Sequence, residues 1–341
     1  MTVTPLAIEG VGLVTAVGHT AAASCAAFRA KVSNPSPTRF MDSTGQWILA
    51  HGVAMVPGLS GVARLVAMAV AAVREALPGA TAAQCIGIPM LLCVAEKERP
   101  GRMADLDDSV LARLQAELQL TFSPDSAVIA QGRVSVPVAM ALSRKLLEAG
   151  RASRVLIVAT DSLLHWPTLD HLDREGRLLT QDNANGFMVG EGAGALLVGR
   201  PTAGAQLLCT GLGFAIEEAH IDSELPLRAE GLSAAIKGAA QEAGLRVDDF
   251  DYRITDLSGE QYYFKEAALA LARTVRQSRP EFDLWHPAEC TGEAGALAGI
   301  AIVALAQAAA RKGYAKGPRV LAHMANDAGP RAAMALQFKG A

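Results

Sequence analysis

Aromatic residues are scarce in this 341-residue chain, at 5%, and charged residues reach only 19%. So little charge excludes a disordered or polyelectrolyte chain. Neither sign of charge dominates: 31 Lys+Arg face 34 Asp+Glu, a net charge of -3. Nucleic acid and an anionic membrane surface are therefore not expected as partners. Cysteines number five (Cys25, Cys85, Cys93, Cys209, Cys290) and lie far apart with no CxxC pair. That excludes a zinc knuckle and a disulfide framework, and free thiols in a reducing cytoplasm are expected. Long apolar runs are also missing. The longest, Ala294 to Ala306, falls short of the roughly 20 residues that span a bilayer, and it is expected to be a buried helix. The N-terminal apolar stretch carries Glu9 and no basic segment, so no signal peptide is expected. His165 and His171, six residues apart with one Asp, are a weak pattern for a metal, and none is expected.

What remains is a chain rich in small and aliphatic residues, 51% hydrophobic with 32 Gly. Short apolar runs alternate with helical periodicity, the pattern of buried strands between tightly packed helices. Strands are expected at 6–14, 86–94, 155–160, 192–198, 206–214, near 252–257, 319–324 and 332–338. Helices are expected at 19–31, 62–77, 107–118, 134–147, 231–243, 265–276 and 295–310. The alternation means an α/β fold with mostly parallel pairing. It restarts near residue 200, which suggests two similar halves, 1–200 and 201–341.

Several segments together resemble the β-ketoacyl-ACP synthases of the thiolase-like superfamily. Ile8 to Gly18 (IEGVGLVTAVG) is similar to their first strand and turn. Asn185 to Leu196 (NGFMVGEGAGAL) is close to their DGFVxGEGAGxL block and carries Gly186, Phe187, Gly190, Glu191, Gly192 and Gly194. Leu146 to Asp161 is similar to the helix end and strand after their nucleophile, and Gly292-Glu293-Ala294-Gly295-Ala296 to their GAAGA helix opening. These matches fall in the family's order along nearly the whole chain. The resemblance implies a thiolase fold, two similar halves in an αβαβα arrangement with two buried helices between the sheets. It also implies dimerisation, with Val155–Thr160 pairing across a twofold axis.

Condensation in that family needs a cysteine thiolate at a helix N-terminus, an oxyanion hole and two bases. Spacing back from Gly150 puts the cysteine position at Arg133, with Gln131 as runner-up. The first histidine position falls at Asp256. The second, counted from Gly292, falls at Glu289, next to Cys290. The Gly- and Phe-rich oxyanion loop is replaced by Asn326-Asp327-Ala328-Gly329. A guanidinium cannot serve as a nucleophile. The expectation is a buried Arg133 held by Asp256 and Glu289, because a buried charge must be paired. Glu191 is expected to be a buried, fold-determining carboxylate, and Cys290 a structural thiol.

The implied function is that of a catalytically degenerate homologue, a scaffold or partner subunit. It is expected to form a homodimer, or a heterodimer with another thiolase-fold protein, with acyl carrier protein as a further partner. The alternative is an acyltransferase of altered mechanism on acyl-ACP or acyl-CoA. No cofactor is implied.

Overall fold

The computed structural model describes residues 4–55, 57–107, 109–277 and 281–340. In the first part of the chain β1 (Leu6–Val14) leads to α1 (Ala21–Ala30) and a hairpin of β2 (Ser36–Met41) and β3 (Trp47–His51). Then follow α2 (Gly61–Ala76), α3 (Ala82–Cys85), β4 (Met90–Val94), α4 (Val110–Leu118) and β5 (Ala127–Ala130). A tight 3₁₀ turn, Gly132–Val134, opens α5 (Ser135–Glu148), and β6 (Arg154–Ser162), α6 (Trp166–Arg174) and β7 (Val189–Gly199) complete this part. The chain continues through β8 (Gln206–Ile216), α7 (Glu230–Glu242), β9 (Tyr252–Thr255), α8 (Gln261–Thr274) and β10 (Leu284–Trp285). It ends with α9 (Ala288–Thr291), α10 (Ala298–Arg311), β11 (Arg319–Ala325) and β12 (Pro330–Lys339).

Ten strands run in the order β10-β9-β11-β12-β8-β1-β7-β6-β4-β5. The order repeats: β1-β7-β6-β4-β5 and β8-β12-β11-β9-β10 each place the first strand of the set beside the last. The two sets meet where Leu6–Ile8 of β1 pair with 207–209 of β8. Within each set the inner strands are parallel, as in β6–β4–β5 and β11–β9–β10, and the last strand returns antiparallel.

Three apolar clusters define the layers. One joins α5 and α10 to strands of both sets, through Val136, Met140, Ile300 and Val303 with Ile157, Leu196, Ile254 and Met334. A second packs α2 and α4 on the outer face of the first set, and a third packs α7 and α8 on the outer face of the second. The result is five layers, αβαβα, with α5 and α10 in the middle. Small residues make this spacing possible. A Cβ at Gly299 on α10 would sit 2.5 Å from the Val136 Cβ on α5.

The apolar run 294–306 is thus the buried start of α10. Four strands were not legible in the sequence: the hairpin β2–β3, the edge strand β5 and the two-residue β10. They are short, and the hairpin alternates partly exposed residues rather than presenting an apolar run. No helix was expected between His165 and His171, yet Trp166–Arg174 forms α6, with His165 just before it and Pro167 suited to a first helical turn. The expectation for Val155–Thr160 is corrected. β6 pairs with β4 on one side and β7 on the other, so neither edge is free. The terminal strand of that set is β5, whose outer edge carries no strand among the described residues.

Candidate functional site

The turn that opens α5 carries the first site residue. Gly132 has φ +51°, a conformation glycine takes without strain, and a Cβ there would lie 2.0 Å from Glu96 Oε2. The turn directs Arg133 inward, and only 9% of its side chain is exposed. A cation at a helix N-terminus opposes the helix dipole, so carboxylates must compensate it.

They do, but not entirely the ones expected. Asp256, just past β9, approaches the Arg133 Nε at 3.9 Å and accepts the Ala325 N–H at 2.9 Å. Glu289 does not join the cluster; it is partly exposed and pairs with Lys31 at 3.5 Å. Glu293 takes the place expected of it, with Oε2 3.4 Å from Arg133 Nη1. Glu289 and Glu293 lie on opposite sides of Gly292, whose φ of +65° ends α9 and redirects the chain. Counting back from Gly292 therefore selected the wrong side of that bend.

Two further partners were not assigned from the sequence. Arg133 Nη2 donates to the Tyr263 hydroxyl at 2.9 Å, and its guanidinium lies 4.7 Å from that ring's centroid. It also donates to Asp327, which accepts the Tyr263 hydroxyl as well. Asp327 in turn accepts Arg177 Nη1 at 2.7 Å, while Arg177 is bidentate to Glu260 at 2.7 and 2.8 Å. A third arginine, Arg99, bridges Glu96 and Asp161, and Asp161 also accepts the Ala296 N–H at 2.9 Å.

Burial and charge pull these groups in opposite directions. Burial alone would raise Asp327, but Arg133 and Arg177 outweigh it and hold the carboxyl well below its usual range. Burial pushes Glu293 up to about 7 against the pull of Arg133. Asp256 is likewise raised by burial, partly offset by Arg133. Glu96, despite burial, is lowered by Arg99.

These groups face a cavity of about 390 Å³. Glu96, Arg99, Arg133, Arg177, Glu293 and Asp327 line it, with Leu172 and Phe187 as apolar wall. Each of its three guanidinium groups is already engaged by carboxylate. Cys290 does not line this cavity. It is fully buried in the core, and burial raises its thiol to about 11. Gln131 is exposed and faces a separate, open groove of about 1080 Å³ beside β5. Asn326 is 4% exposed and donates from Nδ2 to the Gln131 carbonyl at 2.8 Å. His171 lines the cavity from α6. No group of three or more His, Cys, Asp or Glu among the described residues is arranged to hold a metal.

The glycine-rich block supports the site from behind. Glu191 is fully buried, bound to the Arg64 guanidinium, the Val53 N–H at 2.7 Å and the Ser162 hydroxyl at 2.9 Å. A Cβ at Gly186, Gly190, Gly192 or Gly194 would collide with Leu178, Thr291, Val14 or Ile300 respectively. Phe187 is buried under Arg177, 5.6 Å from its guanidinium carbon.

No protein-family model and no curated protein sequence matches the chain. Solved structures do match it. An ishigamide ketosynthase/chain length factor aligns over 99% of this chain and 100% of its own, with a TM-score of 0.78 at 19% identity. A type II polyketide acyl carrier protein in complex with its ketosynthase, bound to the hexaketide, aligns over 98% and 99%, with a TM-score of 0.79 at 15% identity. A β-ketoacyl synthase from Burkholderia phymatum aligns over 98% and 100%, with a TM-score of 0.76 at 14% identity. The layered order of strands and helices, traced above from the chain's own packing, is thus the thiolase-like fold that ketosynthases and chain length factors share.

Proposed function

We propose that this protein is a catalytically degenerate ketosynthase homologue that acts by binding, as a partner subunit or scaffold. One observation carries this reading: Arg133, which the sequence resemblance puts at the nucleophile position, is buried and tied to Tyr263, Glu293 and Asp327. A guanidinium so engaged has neither the lone pair nor the freedom to take an acyl group. All five cysteines are buried free thiols, and none lines the 390 Å³ cavity. Free thiols also suit a cytoplasmic protein.

We further propose that residues 1–200 and 201–341 act as two halves, and that the partner is a second thiolase-fold chain. The free edge of β5 supports this, because an unpaired strand edge is a template for another strand. Beside it lies the open groove with exposed Phe214 and Ile216. Two of the similar structures are described as a ketosynthase with a chain length factor and a ketosynthase with an acyl carrier protein. No helix among the described residues is long and apolar enough to cross a membrane.

Intact-protein mass spectrometry after incubation with acyl-CoA and acyl carrier protein thioesters tests the reading. No stable adduct is expected. An adduct that disappears in Cys290→Ser would replace it with an acyltransferase of altered mechanism.

A further inference from the structure

Behind Arg133 lies a second cavity, of about 20 Å³, walled by Thr255, Asp256, Thr291, Glu293 and Leu297 among others. Its size matches a single water, since a cavity needs roughly 10–15 Å³ to hold one. Thr255, Asp256, Thr291 and Glu293 are the polar residues of an otherwise apolar wall. Thr255 is fully buried, and its Oγ1 has no hydrogen-bond partner among the described residues. A buried hydroxyl left unpaired costs free energy that one water would recover.

The charge balance around it is uneven. Arg133 and Arg177 supply two positive charges. Asp256, Glu293, Asp327 and Glu260 supply four carboxylates. Asp327 touches both arginines, which hold its carboxyl ionised, and Glu260 is bidentate to Arg177. Asp256 and Glu293 receive only the longer Arg133 contacts, at 3.9 and 3.4 Å, with one backbone N–H each from Ala325 and Gly295. The other charged or titratable groups near this pair are Tyr263 and Glu266 from α8, Arg331 from β12, itself paired with Glu266 at 2.8 Å, and Glu96 and Arg99, which line the large cavity with Glu293.

We propose that the small cavity is a site for one water bound to Thr255 Oγ1, and that through it Asp256 and Glu293 share a single proton. The arrangement neutralises half of the surplus charge without another cation. The upward displacement of both carboxyls by burial agrees with it. Glu293 lines the large cavity as well as the small one. The inference does not depend on whether the protein condenses acyl chains.

Infrared titration of the whole protein tests it. A protonated-carboxyl band is expected to persist to about pH 7 and to be absent from Glu293→Gln. Thr255→Val, which keeps the side-chain shape, removes the water's anchor and should move the band's midpoint by about one pH unit or more. A band that titrates in the ordinary carboxylate range, or one that Thr255→Val leaves in place, would overturn the proposal. Thermal unfolding gives a second readout. A carboxyl raised in the folded state binds its proton more tightly than in the unfolded chain. Wild-type stability from this pair should therefore fall between about pH 5 and about pH 7, and Glu293→Gln should lack most of that fall. Equal slopes in the two proteins would also refute the shared proton.

Discussion

Arg133 and Asp327 meet across 194 positions of sequence, and Arg177 reaches the other oxygen of the same carboxylate. The aspartate thus joins the turn before α5, the segment after α6 and the β11–β12 turn. It lies at the mouth of the large cavity, while Arg133 lies below it.

Removing the arginine strands several carboxylates at once. Arg133→Ala is expected to lower stability by about 3–5 kcal/mol, the usual cost of breaking a buried ion pair. Equilibrium denaturation in urea measures it. A loss under about 1 kcal/mol would mean that the cluster relaxes or takes up water instead.

Restoring a thiol alone should not restore chemistry. In Arg133→Cys the new sulfur would face Glu293, Asp256 and Asp327, and nearby carboxylates raise a thiol's pKa instead of lowering it. Iodoacetamide labelling at neutral pH should be slow, and malonyl thioester decarboxylation should stay at background. Rapid labelling together with decarboxylation would contradict the degenerate reading.

Asp327 gives a pH dependence of opposite sign to Glu293. Its folded-state pKa is depressed, so the stability it contributes is present above the unfolded value of about 3.9 and lost as pH falls below it. Asp327→Asn should be less stable than wild type at neutral pH, and the difference should shrink in acid. Circular dichroism melts across that range check it, and a constant difference would show that Asp327 acts through packing and not charge.

The partner surface can be probed without touching the core. Phe214→Asp and Ile216→Asp alter side chains that are 46% and 57% exposed beside the β5 edge. Folding should change by no more than about 0.5 kcal/mol. Association with a copy or a thiolase-fold partner, measured by light scattering, should weaken. Unchanged association would move the interface elsewhere.

The sequence by itself determined the layered α/β architecture. Its short apolar runs have the period and length of buried strands and helices, and the block from Asn185 to Leu196 constrains close packing residue by residue. Through its resemblance to the β-ketoacyl synthases it also implied that Arg133 and Asp256 share a pocket, and the folded chain brings the two side chains to 3.9 Å. The edge position of β5, the interior position of β6 and the engagement of Arg133 by Glu293 and not Glu289 were decided only in three dimensions. Strand neighbours depend on crossover connections that no local pattern encodes. The choice between two glutamates four residues apart depends on a single positive φ at Gly292, which sends one to Lys31 at the surface and the other to Arg133. Tyr263, Arg177 and Asp327 come from three separate parts of the chain, and only the folded chain brings Tyr263 and Asp327 to the buried Arg133 guanidinium and Arg177 to the other oxygen of Asp327.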